Sequence, residues 1–85
     1  MALIGCGVVG LRRLSLFKNK FKLIACADKN IRQIKKKINR KNILYTNNWK
    51  KILNIKNLDA IFIATYHSEQ SKIIKEFLKK NINIF

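Results

Sequence analysis

The sequence predicts an α/β chain built around one open parallel sheet with helices on both faces, and three observations predict it. Apolar runs alternate with amphipathic segments along all 85 residues. Two of those runs, "FKLIACA" and "LDAIFIAT", are apolar almost throughout, as strands covered on both faces require. Each strand is followed by a helical period instead of a tight turn, so the strands run parallel. Right-handed crossovers then give the strand order 3-2-1-4-5.

The elements follow in order. "ALIG" opens the chain as a short buried strand that runs into a glycine loop. From Val8 to about Asn19, Leu11, Leu14 and Phe17 recur every three residues and mark a first helix, with Arg12, Arg13 and Lys18 elsewhere on its surface. "FKLIACA" (21–27) is the second strand. Ile31, Ile34 and Ile38 mark a second helix that turns Lys35, Lys36 and Lys37 mostly to water. "ILYT" (43–46) is a short third strand, and "NWKKIL" (48–53) a one- or two-turn helix begun by an Asn cap. "LDAIFIAT" (58–65) is the clearest strand. Over Ser68–Lys80, the stripe Ile73, Ile74, Phe77 and Leu78 marks a last helix, with Lys79 and Lys80 suited to the negative end of its dipole. "INIF" begins a fifth strand at the sheet edge, where pairing with a second copy or aggregation is expected.

Composition narrows the function classes. A net charge of +15 raises nucleic acid as a partner. The lysines are spread along the chain, however, and Ile, Lys and Asn all have A/T-rich codons, so a solvated basic surface on a biased composition is the expected reading. Trp49 and Tyr45 do not interleave with the basic residues as base-stacking aromatics would, and no specific nucleic-acid partner is expected. Cys6 and Cys26 lack metal-ligand spacing and read as free thiols of a reducing cytosol, with Cys6 a small filler. No segment approaches the ~20 apolar residues of a membrane span. A cytoplasmic location without membrane attachment is expected, and neither a metal site nor a catalytic residue is assigned.

The chain's three glycines all fall within one pattern, Gly5-x-Gly7-x-x-Gly10, between a predicted strand and a predicted helix. That context is what a phosphate-cradling loop needs. Gly5 permits the tight turn, Gly7 lets a pyrophosphate approach bare backbone, and Gly10 lets the helix pack on the sheet. The helix N-terminus at Val8 and Val9 offers unpaired N–H groups and a positive dipole end to the phosphates. Asp28 ends the second strand, 18 residues beyond Gly10, where a carboxylate can accept from the adenosine ribose hydroxyls and repel a 2′-phosphate. The reading is an adenine dinucleotide site, with NAD favoured and NADP the alternative, since Lys29 and Arg32 could receive a phosphate. The competing reading of Asp28 is that it opens the next turn or caps the next helix.

Three stretches, "ALIGCGVVGLRRL", "FKLIACADKN" and "YTNNWKKILNIKNLDAIFIATYHSEQSKIIKEFLKKNINIF", resemble the N-terminal Rossmann domain of the Gfo/Idh/MocA oxidoreductases, the glucose–fructose oxidoreductase and inositol dehydrogenase family. The resemblance covers essentially the whole chain. It implies that Gly5, Gly7, Gly10 and Asp28 hold the dinucleotide, beside which the chain's own pattern places Val8, Val9 and Lys29. Thr65 and the loop Tyr66-His67-Ser68 would line it at the carboxyl ends of the strands. It implies a hydride exchange between nicotinamide and a sugar or cyclitol. Tyr66 stands where relatives usually have Pro, and Gln70 where they often have His, so the loop after Thr65 departs from the family pattern. His67 reads as a cofactor contact or a capping residue.

Relatives carry residues before the first strand. After the fifth they carry a Glu-Lys-Pro motif whose lysine assists catalysis, then a second domain with the substrate pocket. By the resemblance, residues 1–85 are an incomplete dinucleotide-binding domain, with the catalytic and substrate domain absent. Such a chain is expected to bind nucleotide weakly and to catalyse nothing alone. The alternatives are a non-enzymatic basic binding module, either nucleotide sensor or nucleic-acid binder, and a gene fragment without function.

Overall fold

The structure, a computed structural model, describes residues 1–5, 22–65 and 67–85, with His67 described through its backbone. The helix expected over 8–19 lies outside the described residues. Five strands form one parallel sheet: β1 (Ala2–Ile4), β2 (Ala25–Ala27), β3 (Leu44–Thr46), β4 (Ala60–Ile63) and β5 (Asn83–Ile84). Their order is β3-β2-β1-β4-β5, as the sequence predicts. Between them run α1 (Ile31–Ile38), a 3₁₀ helix (Trp49–Asn54) and α2 (His67–Phe77).

The strand period of two divides the core into two layers. On one face Ala2, Ile4, Ala25, Ala27, Ile61 and Ile63 pack with Ile52 of the 3₁₀ helix and with Ile73 and Phe77 of α2. On the other, Leu3, Cys26 and Ala60 pack with Ile34 of α1, flanked by Ile31 and Ile38. The predicted apolar spacing of α1 is therefore the surface it buries, and Lys35, Lys36 and Lys37 are exposed. Small residues keep the centre thin: Ala2, Ala25, Cys26 and Ala60 are fully buried and let both layers approach the sheet. Fully burying a side chain such as Leu3, Ile61 or Phe77 contributes about 1.5–3 kcal/mol.

The ladder is shorter than the apolar runs. β1 offers three residues, in register Ala2↔Ala25 and Ile4↔Ala27, so of "FKLIACA" only Ala25–Ala27 form β2. Asn48 caps the 3₁₀ helix as predicted, its Oδ1 accepting from the Lys50 N–H at 3.1 Å. The last helix differs from the expectation at its end. It closes at Phe77, and the Lys80 N–H turns back to the Phe77 carbonyl at 3.0 Å. Leu78, expected in the apolar stripe, is 69% exposed, and Lys75 is the basic residue of the last turn.

Candidate functional site

The carboxyl ends of β1, β2 and β4 are adjacent, and the residues following them form the candidate site. Gly5 leaves β1 with its N–H donated to the Ala27 carbonyl of β2 at 2.8 Å. The Ala64 N–H, at the end of β4, donates to the Ile4 carbonyl at 2.8 Å. The Asp28 N–H, at the end of β2, donates to the Thr46 carbonyl of β3 at 3.0 Å. Gly5, Asp28 and Ala64 thus each follow a pairing strand, with Gly5 between the other two.

Gly5 is fixed as glycine twice over. Its φ of +80° lies in the left-handed region. A Cβ there would meet Thr65 Cγ2 at 2.6 Å and the Ala64 carbonyl oxygen and carbon at 2.7 and 2.8 Å. The chain leaves β1 pressed against the end of β4, where no side chain fits.

Asp28 is half-buried, and its Oδ1 accepts from the Asn30 N–H at 2.8 Å. The turn-opening role that competed for Asp28 is therefore real. It does not exhaust a carboxylate, which has about four lone-pair positions. Lys29 is exposed, and its Nζ lies 3.3 Å from Glu69 Oε1 in the first turn of α2. Thr65 follows β4, and its carbonyl accepts from Gln70 Nε2 at 2.7 Å. Its Oγ1 is buried and makes no hydrogen bond to a described residue. Such an orphaned hydroxyl costs free energy unless something else pairs with it. His67 is the first residue of α2. Gly7, Val8, Val9, Gly10 and Tyr66 lie outside the described residues.

Two polar links were not foreseen from sequence. Gln70 ties the start of α2 to the end of β4, and helix-start rules miss it because they seek acceptors for N–H groups, whereas Gln70 donates to a carbonyl. Glu69 joins α2 to the segment after β2, a pairing 40 residues apart that only the fold creates. No helix among the described residues is long and apolar enough to cross a membrane.

A dinucleotide site needs a tight turn at the end of the central strand and a carboxylate one strand away, and Gly5 and Asp28 stand at those two places. The residues present fit a dinucleotide. Comparison with known proteins agrees. Over residues 1–85 the chain matches the family described as "Oxidoreductase family, NAD-binding Rossmann fold", Gfo/Idh/MocA. Among solved structures it is similar to myo-inositol 2-dehydrogenase from Lactobacillus plantarum, with 27% identity, a TM-score of 0.81, and coverage of 99% of this chain and 26% of that one. The 3-ketoreductase KijD10 from Actinomadura kijaniata, solved as a variant with TDP-benzene and NADP, shares the fold. Its TM-score is 0.79 at 16% identity, covering 98% of this chain and 27% of that one. The chain thus spans about a quarter of the length of these solved proteins. No protein of curated function matches it. With its whole length matched, the chain belongs to the Gfo/Idh/MocA oxidoreductase family, as an NAD-binding Rossmann domain.

Proposed function

We propose that residues 1–85 bind an adenine dinucleotide across the carboxyl ends of β1, β2 and β4. They would serve as the cofactor-holding part of an oxidoreductase acting on a cyclitol or sugar. Gly5 supports this reading most directly, because its left-handed φ and filled Cβ position make the tight, glycine-only turn that would carry the following loop's backbone to the pyrophosphate. The loop residues Gly7 and Gly10 and the amides of Val8 and Val9 would complete that contact. Asp28 would accept from the adenosine ribose hydroxyls, favouring NAD over NADP. The orphaned Thr65 hydroxyl would gain a partner in the bound cofactor, with Tyr66 and His67 beside it. Bound nicotinamide supplies the hydride chemistry, and the protein supplies orientation. The groups that bind substrate and move its proton are assigned outside these 85 residues.

Titration of NADH into the chain, read by nicotinamide fluorescence, tests the assignment. Hydrogen bonds to a charged group contribute about 1.5–3 kcal/mol, so Asp28→Ala should weaken binding by about tenfold to a hundredfold. Asp28→Asn keeps an oxygen for the Asn30 N–H and separates loss of the turn from loss of the charge. Binding that follows any polyanion with a steep salt slope, and ignores Asp28, would replace this reading with a basic binding module.

A further inference from the structure

The ion pair Lys29–Glu69 joins the segment after β2 to the first turn of α2, which follows β4. β2 and β4 are the two neighbours of β1, so the pair links both sides of the strand that Gly5 follows. Lys29 directly follows Asp28, the residue assigned to the adenosine ribose. Its ammonium is the charge that would receive a 2′-phosphate arriving there. Glu69 Oε1 holds that ammonium at 3.3 Å.

We propose that Glu69 is a specificity-determining residue: it sets the balance between NAD and NADP by occupying Lys29 and adding negative charge beside the ribose position. The proposal rests on the dinucleotide reading above and deepens it. A phosphate monoester carries close to two negative charges near neutral pH. It must therefore take Lys29 from Glu69 while approaching the Glu69 carboxylate, whereas a ribose hydroxyl does neither. Arg32, exposed in α1, has no carboxylate partner among the described residues and offers the same attraction in every variant. Glu69 thus modulates a preference that Asp28 establishes. An exposed pair is weak, with Lys29 82% and Glu69 42% exposed, so the effect is a matter of a few-fold.

The test measures NAD⁺ and NADP⁺ affinities of the 85-residue chain by calorimetry. Glu69→Gln should tighten NADP⁺ by about threefold to fivefold and NAD⁺ by less than about 1.5-fold. Glu76→Gln makes the same charge change at an exposed pair with Lys79, near the opposite end of α2. It should leave the NADP⁺/NAD⁺ ratio unchanged. In a Lys29→Met background, Glu69→Gln should lose most of its effect on the ratio. The proposal is overturned by an unchanged ratio in Glu69→Gln, by an equal shift in Glu76→Gln, or by an undiminished shift without Lys29. If wild type binds neither dinucleotide, the dinucleotide reading itself falls and takes the proposal with it. Binding of both with no role for Glu69 removes only the proposal.

Discussion

Replacing Gly5 with alanine should destabilise the chain severely, for two separable reasons. An L-residue in the left-handed region costs about 1–2 kcal/mol. The new methyl would also sit 2.6 Å from Thr65 Cγ2 and 2.7 Å from the Ala64 carbonyl oxygen. Overpacking of that kind typically costs about 1–3 kcal/mol. The sum, about 2–5 kcal/mol, compares with about 4–13 kcal/mol of total stability expected for a domain of this length. One kcal/mol moves the melting temperature of such a domain by about 4–8 °C, so Gly5→Ala should lower it by at least about 8 °C in thermal circular dichroism. Adding Thr65→Ser removes the Cγ2 contact and keeps the hydroxyl, but the Ala64 backbone cannot withdraw. The double variant should recover only part of the loss. A drop of less than about 4 °C for Gly5→Ala, or full recovery in the double variant, would refute the account of why glycine stands here.

Phe77, fully buried with its ring centroid 6.2 Å from that of Trp49, should cost about 3–5 kcal/mol on truncation to alanine and erase the near-ultraviolet signal of Trp49. The adjacent Leu78→Ser should change stability by no more than about 0.5 kcal/mol in urea titration, because that side chain is mostly in water. Asn48→Ala should cost about 1 kcal/mol by leaving the Lys50 N–H without its cap, with an unchanged denaturant slope confirming that only the native state was affected.

Local pattern carried much of the fold. Ile31, Ile34 and Ile38 mark α1 to its end residues because a helix that buries one stripe must repeat that stripe. Asn48 was legible as a cap because capping is a bond between near neighbours. The pattern overshot where tertiary structure sets the limit. Leu78 has the spacing of a core residue, four beyond Ile74, yet the chain turns at its position and carries it away from the sheet. Leu23 and Ile24 continue an apolar run, and the Ile24 N–H still donates to the Met1 carbonyl at 2.9 Å, but the regular ladder holds only from Ala25 to Ala27. At the candidate site, the glycine spacing announced a tight turn at Gly5. The specific obstruction by Thr65 and Ala64 required coordinates, since those residues follow another strand. Glu69 was unreadable for the same reason: nothing in an exposed acid's own neighbourhood names a lysine 40 positions away.

β1 lies in the middle of the sheet, and its register pairs Ala2 with Ile61, 59 residues later. A nascent polypeptide therefore holds its central strand in waiting, flanked on one side only, until those 59 further residues have appeared. Contacts of such long sequence separation are associated with slow folding. During that interval the β1 edge destined for β4 is open to any extended segment that reaches it. Lengthening the delay, for example by slowing synthesis between β2 and β4, should raise the share of chains captured by one another before the sheet can close.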